Sequence, residues 1–184
     1  MPSNSDAEID DLAALPLIDS TLMLLLIEAG LRKSEASALQ VRRLKIDPSE
    51  VIVFSGKGGK DRVIPMTARL QQGVQELLLF EQLEPEDHLW YTRPGGGRPQ
   101  RSTPIGKGSF AVWWSRCLAE AGVRYRNPHT ARHTFATRWL RRGGRMETLS
   151  LVMGHASIAT THGLYAHLDT SDIRIDVARI DALS

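Results

Sequence analysis

The longest unbroken apolar run of the chain is LMLLLI, residues 22–27. It falls well short of the roughly 20 residues that a membrane-spanning helix needs. A helix that is apolar all round has to be covered on every side, so the rest of the protein must fold around this segment. With 184 residues, the chain can close one domain over such a helix and is too short for two full ones. The acidic, polar start MPSNSDAEIDD has neither the cationic head nor the apolar stretch of a secretion signal, and the cytoplasm is the expected compartment. Cys117 is the only cysteine, which excludes a disulfide framework and a cysteine-based zinc site. Its spacing from Val112 and Trp113 predicts a buried hydrophobe.

Around the apolar run, residues 1–16 read as a flexible lead-in that ends at Pro16, and residues 17–184 as the working domain. The first helix is expected from Leu17 to Ala29, with Gly30 as its left-handed stop. SEASALQ follows as a short helix with Ser34 as N-cap. The β-rich runs VIVF (51–54) and RVIP (62–65) flank SGKGGKD and predict a hairpin. Thr67 caps a long helix to about Leu83, in which Leu70, Val74, Leu77 and Leu78 recur at helical spacing. RPGGGRPQRSTP reads as a loop. From Gly108 onward the pattern is helical, ending in an amphipathic piece with Ile173, Val177 and Ile180 in one stripe. The fold class is α+β, mainly α-helical, with a small antiparallel sheet near the N-terminal third.

The net charge of +2 conceals a segregation. Residues 91–145 carry twelve Lys or Arg against one acid, Glu120, so this segment holds +11 and the remainder −9. Such an excess repels itself unless a polyanion meets it, and nucleic acid is the natural partner.

Three motifs carry chemistry. GKGGKDRVIP, residues 56–65, is not a nucleotide-binding P-loop: Asp61 stands where the magnesium-ligating hydroxyl belongs, and Phe54 where the first glycine belongs. A hairpin turn explains the glycines but not the lysine at its tip. In NPHTARHTFATRWL, His129 and Arg132 share one helix face. A zinc site built on His129 and His133 lacks its glutamate, because Thr130 occupies that position. An imidazole beside a guanidinium suits an oxyanion instead, since arginine matches phosphate oxygens bidentately. Arg32 directly follows a helix end, and MGHASIATTHGLYAH supplies His155 and Tyr165.

The order G-L-R-x-S-E, G-K-G-x-K-x-R, H-x-x-R-H-x-F-A-T and G-H followed by a tyrosine resembles the tyrosine recombinase or phage integrase family over about residues 17–168. The resemblance places the catalytic set on Arg32, Lys57, His129, Arg132, His155 and Tyr165. It implies that Tyr165 attacks a DNA phosphodiester to form a 3′-phosphotyrosyl link while Lys57 protonates the leaving 5′ oxygen. Arg32, Arg132 and His155 then hold the phosphate, and His129 accepts the tyrosine proton or orients the site. Expected DNA contacts are Lys60, Arg62, Arg98, Arg101, Lys107 and Arg126, and either Lys57 or Lys60 suits the leaving oxygen. No metal or cofactor is implied. The expected partners are double-stranded DNA and further copies of the chain, as a homotetramer on DNA. The C-terminal tail packs either in cis or on a neighbouring protomer. The family's usual N-terminal core-binding domain has no counterpart, and the His155–Tyr165 spacing is one residue longer than in many members, with Gly163 as the extra residue. Site-specific recombination is the leading function; a DNA-binding module with little catalysis and a type IB topoisomerase-like activity are the alternatives.

Overall fold

In the computed structural model, residues 5–54, 61–92, 99–155, 157, 159–163 and 165 are described. The apolar run lies in helix α2, Leu17–Glu28, where every residue from Ser20 to Ile27 is buried. Each fully buried leucine contributes about 1.5–3 kcal/mol, so this helix organises the molecule. Three helices pack on it: α1 (Ser5–Ala13), α4 (Ala68–Glu81) and α6 (His129–Arg141). The flexible lead-in expected at residues 1–16 is therefore corrected for its described part, residues 5–16. Ile9, Leu12 and Leu15 recur at helical spacing and are buried in the core, and this apolar face fixes the segment as a helix.

Gly30 follows α2 with φ +59°, and a Cβ there would lie 2.5 Å from Phe135 Cδ1 of α6. Both the left-handed turn and the close approach of α6 require glycine. The next helix, α3, is Lys33–Ser37, and its N-cap is Arg32 rather than Ser34. Glu35 at the third helical position accepts a hydrogen bond from the Arg32 backbone N–H at 2.7 Å. That bond is one half of a capping box and moves the N-cap two residues toward Gly30.

Strands β1 (Leu44–Lys45), β2 (Glu50–Val53) and β3 (Arg62–Pro65) form an antiparallel sheet in that order. The β2–β3 register pairs Val53 with Arg62 and Val51 with Ile64. Thr67 caps α4 as expected, its hydroxyl accepting from the Leu70 N–H at 3.2 Å. Part of the stretch expected as a loop is a strand: β5 (Gln100–Pro104) pairs with β4 (Tyr91–Thr92). Its side chains are exposed except for a half-buried Arg101, so backbone pairing alone makes the strand and leaves no hydrophobic period to read.

Helix α5 (Lys107–Glu120) buries Phe110, Trp114, Cys117 and Leu118. Cys117 is inert packing, its thiol pushed up to about 12 chiefly by burial. After α6 comes α7 (Met146–Met153). The chain is again helical at residues 159–163 and 165. The expected C-terminal amphipathic tail lies outside the described residues, as do Lys57, Lys60 and Arg98. Among the described residues, no helix is long and apolar enough to cross a membrane.

Candidate active site

The site is built on the C-terminal end of α7. Gly154 has φ +61°; its N–H donates to the Leu151 carbonyl at 2.9 Å, and the His155 N–H donates to Ser150 at 3.1 Å. This pair of bonds is a Schellman motif. It leaves the next three carbonyls, of Val152, Met153 and Gly154, pointing out at the negative end of the helix dipole. Each takes one arginine. Arg62 Nε donates to Val152 O at 2.6 Å, Arg132 Nη2 donates to Met153 O, and Arg32 Nη2 donates to Gly154 O at 3.0 Å. The three guanidinium groups arrive from β3, α6 and the start of α3, and one helix end gathers them.

Like charges so close need compensation. Glu35 supplies it: its carboxylate accepts from Arg32 Nη1 at 2.8 Å and from Arg62 Nη1 and Nη2 at 2.8 and 2.7 Å. Burial alone pushes the Glu35 carboxyl upward, but the hydrogen bonds and charge of Arg62, with the bonds from Arg32, outweigh it and hold the group at about 2. Arg132 is also held by Gly30, whose carbonyl accepts from Nη1 at 2.7 Å. Burial brings Arg132 down to about 10, with the neighbouring Arg32 adding to the effect, and it stays cationic at neutral pH. Arg32 is the member of the cluster that reaches solvent, with 38% of its side chain exposed.

His155 leaves the Schellman turn beside this cluster. Its Nδ1 lies 2.7 Å from the hydroxyl of Thr161, so Nε2 is the nitrogen left for another partner. Burial, then the positive field of Arg132, Arg32 and Arg62, pushes the imidazole down to about 4, and it is neutral at pH 7. Tyr165, 3% exposed, places its hydroxyl 2.8 Å from Nδ1 of His133. Burial raises the phenol and lowers His133, whose neighbours His129 and Arg132 push it further the same way. Both groups are therefore neutral at pH 7, and in the tautomer that carries its proton on Nε2 the imidazole accepts from the phenol. His129 is exposed, and its ring stands edge-on to that of His133 at 5.0 Å.

A guanidinium pair, a neutral imidazole and a phenol bonded to a second neutral imidazole thus share one site. The phage integrase family model matches residues 5–172. The chain belongs to the phage integrase family. Among its relatives, a tyrosine recombinase of Pseudothermotoga lettingae is 29% identical across 90% of this chain and 53% of its own length. The tyrosine recombinase XerD of Ralstonia nicotianae is 32% identical across 92% of this chain and 57% of its own. The chain therefore spans about half the length of the curated relatives it matches. The crystal structure of XerA recombinase superimposes with a TM-score of 0.76 at 26% identity, over 97% of this chain and 64% of that one. The catalytic domain of bacteriophage HP1 integrase shares the fold, with a TM-score of 0.59 at 18% identity over 95% of this chain and 92% of that one. This integrase-family chain has the mainly helical fold with a small antiparallel sheet that its sequence predicts.

Of the residues expected at the site, the structure brings Arg32, Arg132, His155 and Tyr165 together, with His129 at the margin. His129, expected to accept the tyrosine proton or orient the site, does not itself meet the phenol: the imidazole within hydrogen-bonding distance of Tyr165 is that of His133, and the His129 ring packs against His133. His133 enters the sequence argument only as half of a failed zinc pair. One signal points to it: His129, Arg132 and His133 lie within two turns of one helix, and the residue four after His129 faces the same way. The surface contact expected of Arg62 is also corrected. Its side chain is 6% exposed and bridges Glu35 to α7. The period of β3 explains why: Arg62 stands two residues before buried Ile64, on the same face. Arg101 is half-buried and anchored, 3.5 Å from Glu81 and 3.4 Å from the Gln82 carbonyl. Lys107 and Arg126 are exposed.

Proposed function

We propose that this chain cuts and rejoins double-stranded DNA at specific sites through a covalent 3′-phosphotyrosyl intermediate on Tyr165. The observation that carries the reading is the Tyr165 hydroxyl, 2.8 Å from a neutral imidazole and within the field of Arg132. A phenol near its ordinary pKa of about 10 is a weak nucleophile until a base takes its proton, and His133 is in place to do so. In the step, the Tyr165 oxygen bonds to phosphorus, its proton passes to His133, and the bond to the 5′ oxygen breaks. That oxygen leaves as a hydroxyl, with Lys57 as the donor and Lys60 as the alternative. Rejoining is the same step reversed, and because the phosphotyrosyl bond conserves the phosphodiester energy, no nucleotide is consumed.

Arg32 and Arg132 hold the nonbridging oxygens, where charge builds in the transition state. His155, with Nδ1 engaged by Thr161, offers Nε2 to the same phosphate, and His129 flanks the proton acceptor. Because Tyr165 is 3% exposed, cleavage includes a step in which its hydroxyl leaves the buried position as the phosphate enters. Lys60, Arg98, Lys107 and Arg126 serve as backbone contacts along the DNA, and Arg101 as a weaker one. A homotetramer on DNA, linked by C-terminal tails, completes the reading.

The test is a DNA duplex nicked close to the cleavage position, from which the short 5′-hydroxyl fragment escapes and traps the covalent adduct. The wild type is expected to accumulate an adduct at the 3′ phosphate, and Tyr165→Phe none. An adduct that persists in Tyr165→Phe removes the nucleophile from this reading. Lys57→Ala is expected to cleave slowly and to recover on DNA with a 5′-thiol leaving group, which needs no protonation.

A further inference from the structure

Arg62 is the third arginine of the cluster, and nothing in the cleavage chemistry above uses it. All three of its nitrogens are committed: Nε to Val152 O at 2.6 Å, Nη1 and Nη2 to the two oxygens of Glu35 at 2.8 and 2.7 Å. Its Nε and one N–H of each Nη are spent inside the fold, on Val152 and on both oxygens of Glu35, so its fork faces Glu35 rather than a DNA phosphate. Its two partners are the two objects that set the position of Arg32. Glu35 binds Arg32 through both the backbone N–H and Nη1, and the end of α7 binds it through Gly154. The same end of α7 holds Arg132 and launches His155. The packing leaves no slack, since a Cβ on Gly154 would stand 3.2 Å from Arg62 Nη1.

We infer that Arg62 is a positioning residue for phosphate capture: by bridging the Glu35 carboxylate to Val152 it locks Arg32 to the end of α7 that holds Arg132 and His155. The inference rests on the strand-transfer reading. Without the bridge, Glu35 keeps a single cationic partner and α7 loses one of its three anchors, so Arg32 drifts relative to Arg132. A misplacement of about 1 Å at a reacting group costs on the order of 100-fold in rate. Lysine at this position preserves the charge but not the fork, because a single ammonium cannot reach both carboxylate oxygens and the carbonyl in the same plane.

The experiment uses the full chain with Arg62→Met and Arg62→Lys and reads three quantities. These are the single-turnover rate of adduct formation on nicked DNA, the salt dependence of DNA binding, and the folded fraction by circular dichroism at the assay temperature. Arg62→Met is expected to keep the wild-type slope of log affinity against log salt while adduct formation falls about 100-fold. Arg62→Lys is expected to be fully folded and still at least tenfold slow. Glu35→Gln combined with Arg62→Met is expected to lose little more than the slower single variant, because both act on one element. The inference is overturned if Arg62→Met lowers the salt slope by about 1, the mark of a lost phosphate contact. It is equally overturned if the rate loss only tracks the folded fraction, or if lysine restores the full rate. Absence of a wild-type adduct defeats the strand-transfer reading alone. Positioning is then read from inorganic vanadate affinity at the arginine pair, expected to weaken about tenfold in Arg62→Met; an unchanged affinity overturns the inference.

Discussion

The Tyr165 hydroxyl and His133 Nδ1 lie 2.8 Å apart, and the pH at which this pair works follows from their surroundings. Burial, His129 and Arg132 all lower His133 from its ordinary value of 6.5. The imidazole thus stays neutral, and able to accept, below the pH at which a free histidine would be half protonated. The sign follows directly: protonated His133 cannot take the phenol's proton, so cleavage falls as pH drops through a value below 6.5 and is flat above it. His133→Gln is expected to slow adduct formation by about 10²–10⁴, the range of general acid–base catalysis, and to flatten that acid limb. His129→Gln, which removes only the outer ring, is expected to cost less and to keep the limb. A pH–rate series with the three proteins on nicked DNA checks both statements, and an equal loss in the two variants would return the role to His129. The sequence exposes the pair His129/Arg132 because its spacing is that of a helix face, but not His133, because which imidazole meets a tyrosine 32 residues away is decided by tertiary packing. The period of its strand places Arg62 inside, but its charge argues for the surface, and only the fold brings Glu35 up to balance it.

At the scale of elements, the site depends on two helix ends that only glycine permits. Gly154 closes α7 at φ +61° and leaves space that Arg62 occupies. Gly30 closes α2 at φ +59° against the ring of Phe135, and its carbonyl holds Arg132. A left-handed alanine costs about 1–2 kcal/mol in backbone strain alone. Gly154→Ala should lose roughly that amount, with Arg62 giving way by tenths of an ångström. Gly30→Ala should lose more, since the ring is 2.5 Å from the new carbon and is packed in the core. Denaturant unfolding of both variants checks the order, and Gly30→Ala with Phe135→Leu is expected to lose less than the sum of its parts. Helix α4 and strands β2 and β3 are legible because their apolar spacing states their burial, and α2 because its unbroken apolar run leaves no face for solvent. Helix α1 is not legible because Ile9 and Leu12, which bury it, are scattered through an acidic, polar segment. Strand β5 is not legible because pairing with β4, rather than any side chain, makes it a strand.

For the whole molecule, the basic excess of residues 91–145 is partly spent inside the fold. Arg116 bonds Asp19 of α2 as well as Glu120, with contacts of 3.0 and 2.9 Å, and Arg101 is 3.5 Å from Glu81 of α4. Arg132 lies within the arginine cluster. The acids that compensate these cations come mainly from outside the segment, from the part of the chain that carries −9, so the formal excess of +11 overstates what a DNA backbone meets. Lys107 and Arg126 are exposed. Each phosphate contact contributes about −0.9 to the slope of log affinity against log salt on duplex DNA. Binding is expected to weaken steeply with salt, with Lys107→Gln and Arg126→Gln each making the slope shallower by about 1. Arg116→Gln, whose partners are two carboxylates rather than phosphates, is expected to leave the slope unchanged while lowering stability by no more than about 1 kcal/mol, the ordinary value of an exposed ion pair. Fluorescence anisotropy of a labelled duplex across a salt series separates the two groups. A slope near zero for the wild type removes the electrostatic basis for DNA binding, and a shallower slope in Arg116→Gln extends the DNA contact along α5 beyond Lys107.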